Sequence, residues 1–162
     1  MKKPALIAVC LLLLGVAQAS DFPNMPPMKE GFWKIRMVDT SPGEKPTEST
    51  YSLCRDHAYD LQVLETAKKF IAACTINSDS TSGNKRSIVQ SCKVGKSIIQ
   101  TKSVLTVSGD THYHSESSTT FTPALYGQTQ GSMVQDQTYV GACPAGMHPG
   151  DRQRADGTIQ RR

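Results

Sequence analysis

Four cysteines, Cys54, Cys74, Cys92 and Cys143, constrain this chain more than any other feature. They come after an export-type leader, and an even count in an oxidising compartment reads as two disulfides. Four cysteines allow three pairings, and spacing favours one of them. Cys74 and Cys92 stand nine residues to either side of Gly83. Between them run Thr75-Ile76-Asn77, a turn-rich stretch from Ser78 to Asn84, and Ser87-Ile88-Val89-Gln90, which reads as strand, turn, strand. In a hairpin centred on Gly83 the two cysteines face each other across the ladder, within disulfide reach. Cys54 and Cys143 remain as the second pair, tying an early strand to the last one. A metal or redox use of these thiols is disfavoured, since no Cys-x-x-Cys occurs.

The leader has the layout of a secretory signal peptide. Lys2 and Lys3 precede an apolar run from Ala5 to Val16, and Ala17-Gln18-Ala19 supplies small residues at the peptidase positions. Cleavage is expected between Ala19 and Ser20, with signal peptidase as the processing partner. The apolar run falls short of the roughly 20 residues a spanning helix needs. Cys10 sits inside that run behind the bulky Val9, so it reads as leader filler rather than a lipid anchor. The expected location is periplasmic, with a soluble mature chain.

Charge then excludes one class of partner. The whole chain carries +4, and the leader removes two lysines, leaving +2. Arg152, Arg154, Arg161 and Arg162 against Asp151 and Asp156 place that surplus after Cys143. A near-neutral body lacks the clustered basic face of a nucleic-acid binder. The chain beyond the leader is rich in Ser, Thr, Gln and Gly, so the core is modest and staples are needed.

Alternation of apolar and polar residues predicts strands. Trp33-Lys34-Ile35-Arg36-Met37 and Thr50-Tyr51-Ser52-Leu53-Cys54 form a hairpin across the turn at Pro42-Gly43. Residues 97–107 form a strand with Ile99, Thr101, Ser103, Leu105 and Val107 on one face. Residues 112–121 form the next, with Tyr113 and Phe121 as its apolar members, and Met133–Gly141 the last. Asp56 caps a short helix in which Ala58, Leu61, Leu64 (or Val63), Ala67 and Phe70-Ile71 recur at helical spacing. The fold class is mainly β: an antiparallel meander curled into a barrel or half-barrel, with one short helix and two disulfides. Residues 1–19 are the signal peptide, 20–143 the stapled domain, and 144–162 a flexible tail rich in Pro and Gly.

Catalytic signatures fail. Val94-Gly95-Lys96-Ser97 resembles the end of a phosphate loop, but Gln90 stands where its first glycine belongs, so it reads as a β-turn. Neither a Gly-x-Ser-x-Gly elbow nor a His-Glu-x-x-His occurs. His112-x-His114 puts two imidazoles on one face of a strand, with Asp110 nearby, which is the start of a metal site. A strand pair supplies only two ligands, however, and a polar, solvent-facing edge accounts for the same residues. The five methionines beyond the leader, Met25, Met28, Met37, Met133 and Met147, lack the clustering of a copper site. No enzyme activity and no cofactor is expected.

Three further motifs fall in one order. Met28-Lys29-Glu30-Gly31-Phe32-Trp33, Val107-Ser108-Gly109-Asp110-Thr111-His112-Tyr113 and Tyr139-Val140-Gly141-Ala142-Cys143 resemble the opening, turn and closing segments of the domain-of-unknown-function 3617 family. The four cysteines fall in that family's order as well. The resemblance spans Met28 to Asp151. It implies a small exported bacterial β protein, and it implies no activity or functional residues.

The expected role is therefore non-catalytic binding of a small apolar ligand. Trp33, Ile35, Met37, Tyr51, Leu53, Leu105 and Tyr139 are the candidate ligand-lining or core residues. The second expectation is an envelope protein that docks a partner through a sheet edge, for which the Ser/Thr-rich strand 112–121 is the candidate. The third is a metal-assisted enzyme using His112 and His114.

Overall fold

Runs that alternate with a period of two become strands here almost wherever they occur. The computed structural model describes residues 27–162 apart from 72 and 73. The signal peptide, its cleavage site and Cys10 lie outside the described residues. The strands are β1 (Gly31–Thr40), β2 (Thr47–Arg55), β3 (Cys74–Ser82), β4 (Lys85–Val94) and β5 (Ser97–Ser108). They continue as β6 (His112–Leu125), β7 (Gln128–Gly141), β8 (Arg152–Arg154) and β9 (Ile159–Gln160). Helix α1 (His57–Ile71) lies between β2 and β3.

All nine strands join one antiparallel sheet in the order β3-β4-β5-β6-β7-β1-β2-β8-β9. From β3 to β7 it is the expected meander. The sheet does not close into a barrel, because β3 and β9 are left as edges. The strand 112–121, expected from sequence to be a polar edge, is instead internal, paired with β5 on one side and β7 on the other. Its hydroxyls find cross-strand neighbours, as where Thr101 and Thr119 hydrogen-bond at 3.1 Å. Ser/Thr richness marks polarity, and polarity alone does not place a strand at an edge.

Both disulfides form in the expected pairing. Cys74 stands opposite Cys92 in the β3–β4 register, with Cα atoms 4.1 Å apart. Gly83 opens the connecting turn with φ 57°, a conformation that costs an ordinary residue. Cys54 joins Cys143 across 89 residues, with a Cα separation of 5.5 Å. The Gly95-Lys96 segment is the two-residue turn between β4 and β5, in agreement with the sequence reading.

Helix α1 begins where Asp56 accepts the Tyr59 backbone N–H at 2.7 Å, a regular N-cap. Its buried stripe differs from the expected one. Leu64 and Ala67 are buried, whereas Leu61 is 54% exposed and Ala58 also faces solvent. The stripe is rotated because Arg55 draws Asp60 inward, with Nη2 at 2.6 Å from the carboxylate. Tyr59 accompanies it and packs on Ile35, Met37, Leu53 and Met133.

Residues 144–162 correct the expectation of a flexible tail. β8 pairs with β2, setting Leu53 against Arg152, and β9 pairs with β8. Cys54 donates its N–H to the Asp151 carbonyl at 3.0 Å, and the Gly150 N–H returns to the Cys54 carbonyl at 2.8 Å. The Asp151 carboxylate is buried. It accepts the His148 N–H, an Arg161 guanidinium N–H and the Arg162 N–H, and these donors hold its pKa at about 2. Proline and glycine here shape turns. The bridge at Cys143 starts the segment beside Cys54, so it can run back along β2.

Where β1 meets β7 the backbones approach closely. A methyl group at Gly31 (φ 139°) would run into the Gly141 carbonyl and reach 2.8 Å from Tyr139 Cε2. Gly31→Ala is expected to cost roughly 2–4 kcal/mol by urea denaturation, combining backbone strain with overpacking. A loss below about 0.5 kcal/mol, the level of an ordinary surface change, would show that this approach is not tight.

Candidate functional site

The curled sheet has an inner face that the strand period lays out in rungs. One end holds Ile99 and Phe121. The next rungs are polar: Gln90, Thr101 and Thr119, then Ser103 and Ser117 flanked by Ile88 and Met133. Gln135 and Gln137 continue the polar run on β7, facing Met37 and Ile35 of β1. All these polar residues are buried, and Gln135 and Gln137 are only 2% exposed. Burying such groups is costly unless each is hydrogen-bonded. Gln137 meets this requirement, accepting from Arg55 Nη1 at 3.2 Å. Ser117 Oγ and Gln135 Oε1 do not: both are buried, and neither has a partner among the described residues. They sit on neighbouring strands one rung apart, since Ser117 faces Met133 and Ser115 faces Gln135.

Charges near this face are largely compensated. Arg55 lies over the Trp33 ring at 5.6 Å and pairs with Asp60. Arg86 pairs with Asp79 where the face reaches the β3 edge. Asp39, at the far end of β1, has its carboxyl pushed up by burial.

The seven apolar candidates pack mainly against one another. Trp33 is fully buried with Met28, Leu105, Val107 and Tyr113, and Tyr139 lies against this cluster. Ile35, Met37 and Leu53 form a second cluster with Met133, against which Tyr51 packs. Trp33 meets Tyr113 and Tyr139 edge-on, each at 5.8 Å between centroids, and donates its indole N–H to the Lys29 carbonyl at 2.8 Å. Burial pushes the Tyr113 phenol up to about 12, so it stays neutral.

His112 and His114 point to the opposite, outer face. His114 Nδ1 lies 2.6 Å from Asp136 and Nε2 lies 3.1 Å from Glu116. Arg36 approaches the same Asp136 at 3.8 Å and bonds Glu48. The result is a charged row running Glu48, Arg36, Asp136, His114, Glu116 across four strands. A carboxylate thus lies within hydrogen-bond reach of each ring nitrogen of His114, an arrangement that favours the protonated imidazole. Among the described residues, no group of three His, Cys, Asp or Glu side chains could hold a metal ion. His112 Nδ1 lies 3.2 Å from the Thr138 hydroxyl.

The hydrogen bond to Asp136, more than any other contact, raises the His114 pKa above its ordinary 6.5. Its stabilisation is therefore fully present below the unfolded value near 6.5 and is lost as pH rises through the folded value. An NMR titration is expected to find His114 titrating above 6.5, and Asp136→Asn is expected to bring it back down. Titration at or below 6.5 in the unaltered protein would contradict this geometry.

Sequence reasoning put Thr101 and Ser103 on the face of Ile99 and Leu105 but missed the rest of the polar rungs. The alternation that puts Tyr113 and Phe121 inside also puts Ser117 and Thr119 inside, and Met133 carries Gln135 and Gln137 with it. Hydroxyl and amide side chains point by their type to a solvent face, and that masks the signal in the alternation.

Fold and site together define a small, disulfide-bonded domain built on one open antiparallel sheet with a polar band across its inner face. The chain belongs to the DUF3617 family, described as protein of unknown function, whose model matches residues 28–143. No curated protein matches it.

Proposed function

We propose that this domain is an exported, non-catalytic binding module that holds a small ligand on the inner face of its sheet. The observation that carries the reading is the pair of buried atoms without partners, Ser117 Oγ and Gln135 Oε1, within a band of buried polar residues. A bound molecule that pairs with them removes a desolvation cost of roughly 1–3 kcal/mol per group. The apolar rung of Ile99 and Phe121 at one end of the band, and Met133, Met37 and Ile35 beside it, suit a ligand with apolar parts. Two disulfides support an oxidising destination, and the leader with cleavage after Ala19 supports periplasmic export. No helix among the described residues is long and apolar enough to cross a membrane.

Native mass spectrometry of the protein purified from the periplasm tests the reading. The expected result is an N-terminus at Ser20, two disulfides, and an added mass that disappears on denaturation. A folded protein with no added mass, and no gain in stability from any extracted envelope fraction, would count against it.

One observation favours docking as a second reading. β3 is exposed along nearly its whole length and is a sheet edge, with backbone groups open on one side. Crosslinks that survive disruption of β3 would end that reading.

A further inference from the structure

Resting on the binding-module reading, we infer that the ligand is a neutral amphipath, carrying at least one hydroxyl or amide that hydrogen-bonds Ser117 and Gln135. Chemistry on three sides of the band narrows the class.

First, the residues that form the band are uncharged. Gln90, Thr101, Ser103, Ser117, Thr119, Gln135 and Gln137 offer hydroxyls and amides only. An anionic head group would need a cation or several converging N–H donors to replace its water. The two guanidiniums identified on this face are already matched, Arg55 by Asp60 and Arg86 by Asp79. Asp39 is the acid that would call for a cation. It stands at the end of β1, on the far side of Met133 from Ser117. Burial favours its neutral form.

Second, the orphaned atoms state what they need. Gln135 Oε1 accepts only, so the ligand must present an O–H or N–H to it. Ser117 Oγ both donates and accepts. Diagonal neighbours on adjacent strands lie roughly 7–8 Å apart at Cα. A single head group with two hydrogen-bonding atoms, such as a glycerol or a primary amide, spans that gap once side-chain length is counted.

Third, apolar residues border the band: Ile99 and Phe121 form the rung at one end, and Met133, Met37 and Ile35 stand on the strands beside Ser117, Gln135 and Gln137. The occupant therefore has apolar substance attached to its polar centre.

The test uses three amphiphiles sharing one twelve-carbon chain, each below its micelle concentration. They are monolauroylglycerol, laurate and dodecyltrimethylammonium. Binding to the full processed protein is measured by calorimetry, beside Gln135→Met and Ser117→Ala. Methionine nearly conserves the glutamine volume, and removing an unsatisfied acceptor should raise the melting temperature of the ligand-free protein. The expected result is binding of monolauroylglycerol in preference to either charged probe, weakened about tenfold in each variant, with Gln135→Met melting higher than the parent.

Equal or tighter binding of laurate or of dodecyltrimethylammonium, weakened by the same substitutions, overturns the neutral-head inference while the binding-module reading stands. Monolauroylglycerol binding unchanged in both variants places the probe elsewhere and overturns the inference too. No binding by any probe, with Gln135→Met melting no higher than the parent, overturns both, because the two atoms are then satisfied within the folded protein by ordered water.

Discussion

Removing the long bridge with Cys54→Ala and Cys143→Ala is expected to cost clearly more stability than removing the short one with Cys74→Ala and Cys92→Ala. The bridge spans 89 residues, and in the chain-entropy account closing such a loop is worth about 4.5 kcal/mol. The short bridge spans 18 residues and is worth about 3 kcal/mol on the same account. Context widens that gap. Cys54 is fully buried and its backbone exchanges two hydrogen bonds with Gly150 and Asp151, so losing the bridge also loosens the docking of β8. Cys74–Cys92 staples only the edge hairpin, whose β3 strand is almost wholly exposed. Urea denaturation without reductant compares the two alanine pairs with the parent. If the Cys74→Ala, Cys92→Ala pair loses as much or more, loop length is not what sets the stability here.

Trp33→Ala is the single substitution with the largest expected loss, about 3–5 kcal/mol. The indole is fully buried at the centre of one apolar cluster and touches two aromatic edges. Truncation leaves a cavity and strands the Lys29 carbonyl that accepted the indole N–H. It also strips the ring from beneath Arg55, a buried cation that then relies on Asp60 and Gln137 alone. Trp33→Phe keeps an aromatic ring and loses the hydrogen bond, so it should cost about 1–2 kcal/mol. Trp33 is the chain's lone tryptophan, so both variants are followed by far-ultraviolet circular dichroism. A loss below about 1.5 kcal/mol for Trp33→Ala would mean the cluster collapses to fill the gap.

Much of this fold can be read from single residues. The symmetry of Cys74 and Cys92 about Gly83 locates a hairpin, and the alternation from Ile99 to Val107 assigns a strand and its inner face correctly. Asp56 marks the start of the helix. What escapes is whatever depends on partners distant in the chain. Nothing in Gly31 to Thr40 reveals that β1 inserts between β2 and β7. Leu61 joins the expected buried stripe of the helix because it is apolar, but the Arg55–Asp60 pair turns a different side inward. The candidate site is illegible for a related reason. Ser117 and Gln135 belong to the buried face by register, and a single sequence does not distinguish a buried polar rung from an exposed one.

The place of β1 in the sheet also orders events in time. Trp33 of the first strand lies opposite Tyr139 of the seventh, so the strand made first finds its second neighbour only when most of the chain exists. Contacts of such long span carry a loop-closure cost before any reward, and chains dominated by them fold slowly. The β3–β7 meander can gather locally, neighbour by neighbour, but the hairpin of β1 and β2 must wait to be seated. Oxidation of Cys54 with Cys143 then acts as a late latch, closing after the seventh strand has arrived. A polypeptide with this schedule completes its sheet only when its end is in hand, although the middle of the sheet can assemble earlier.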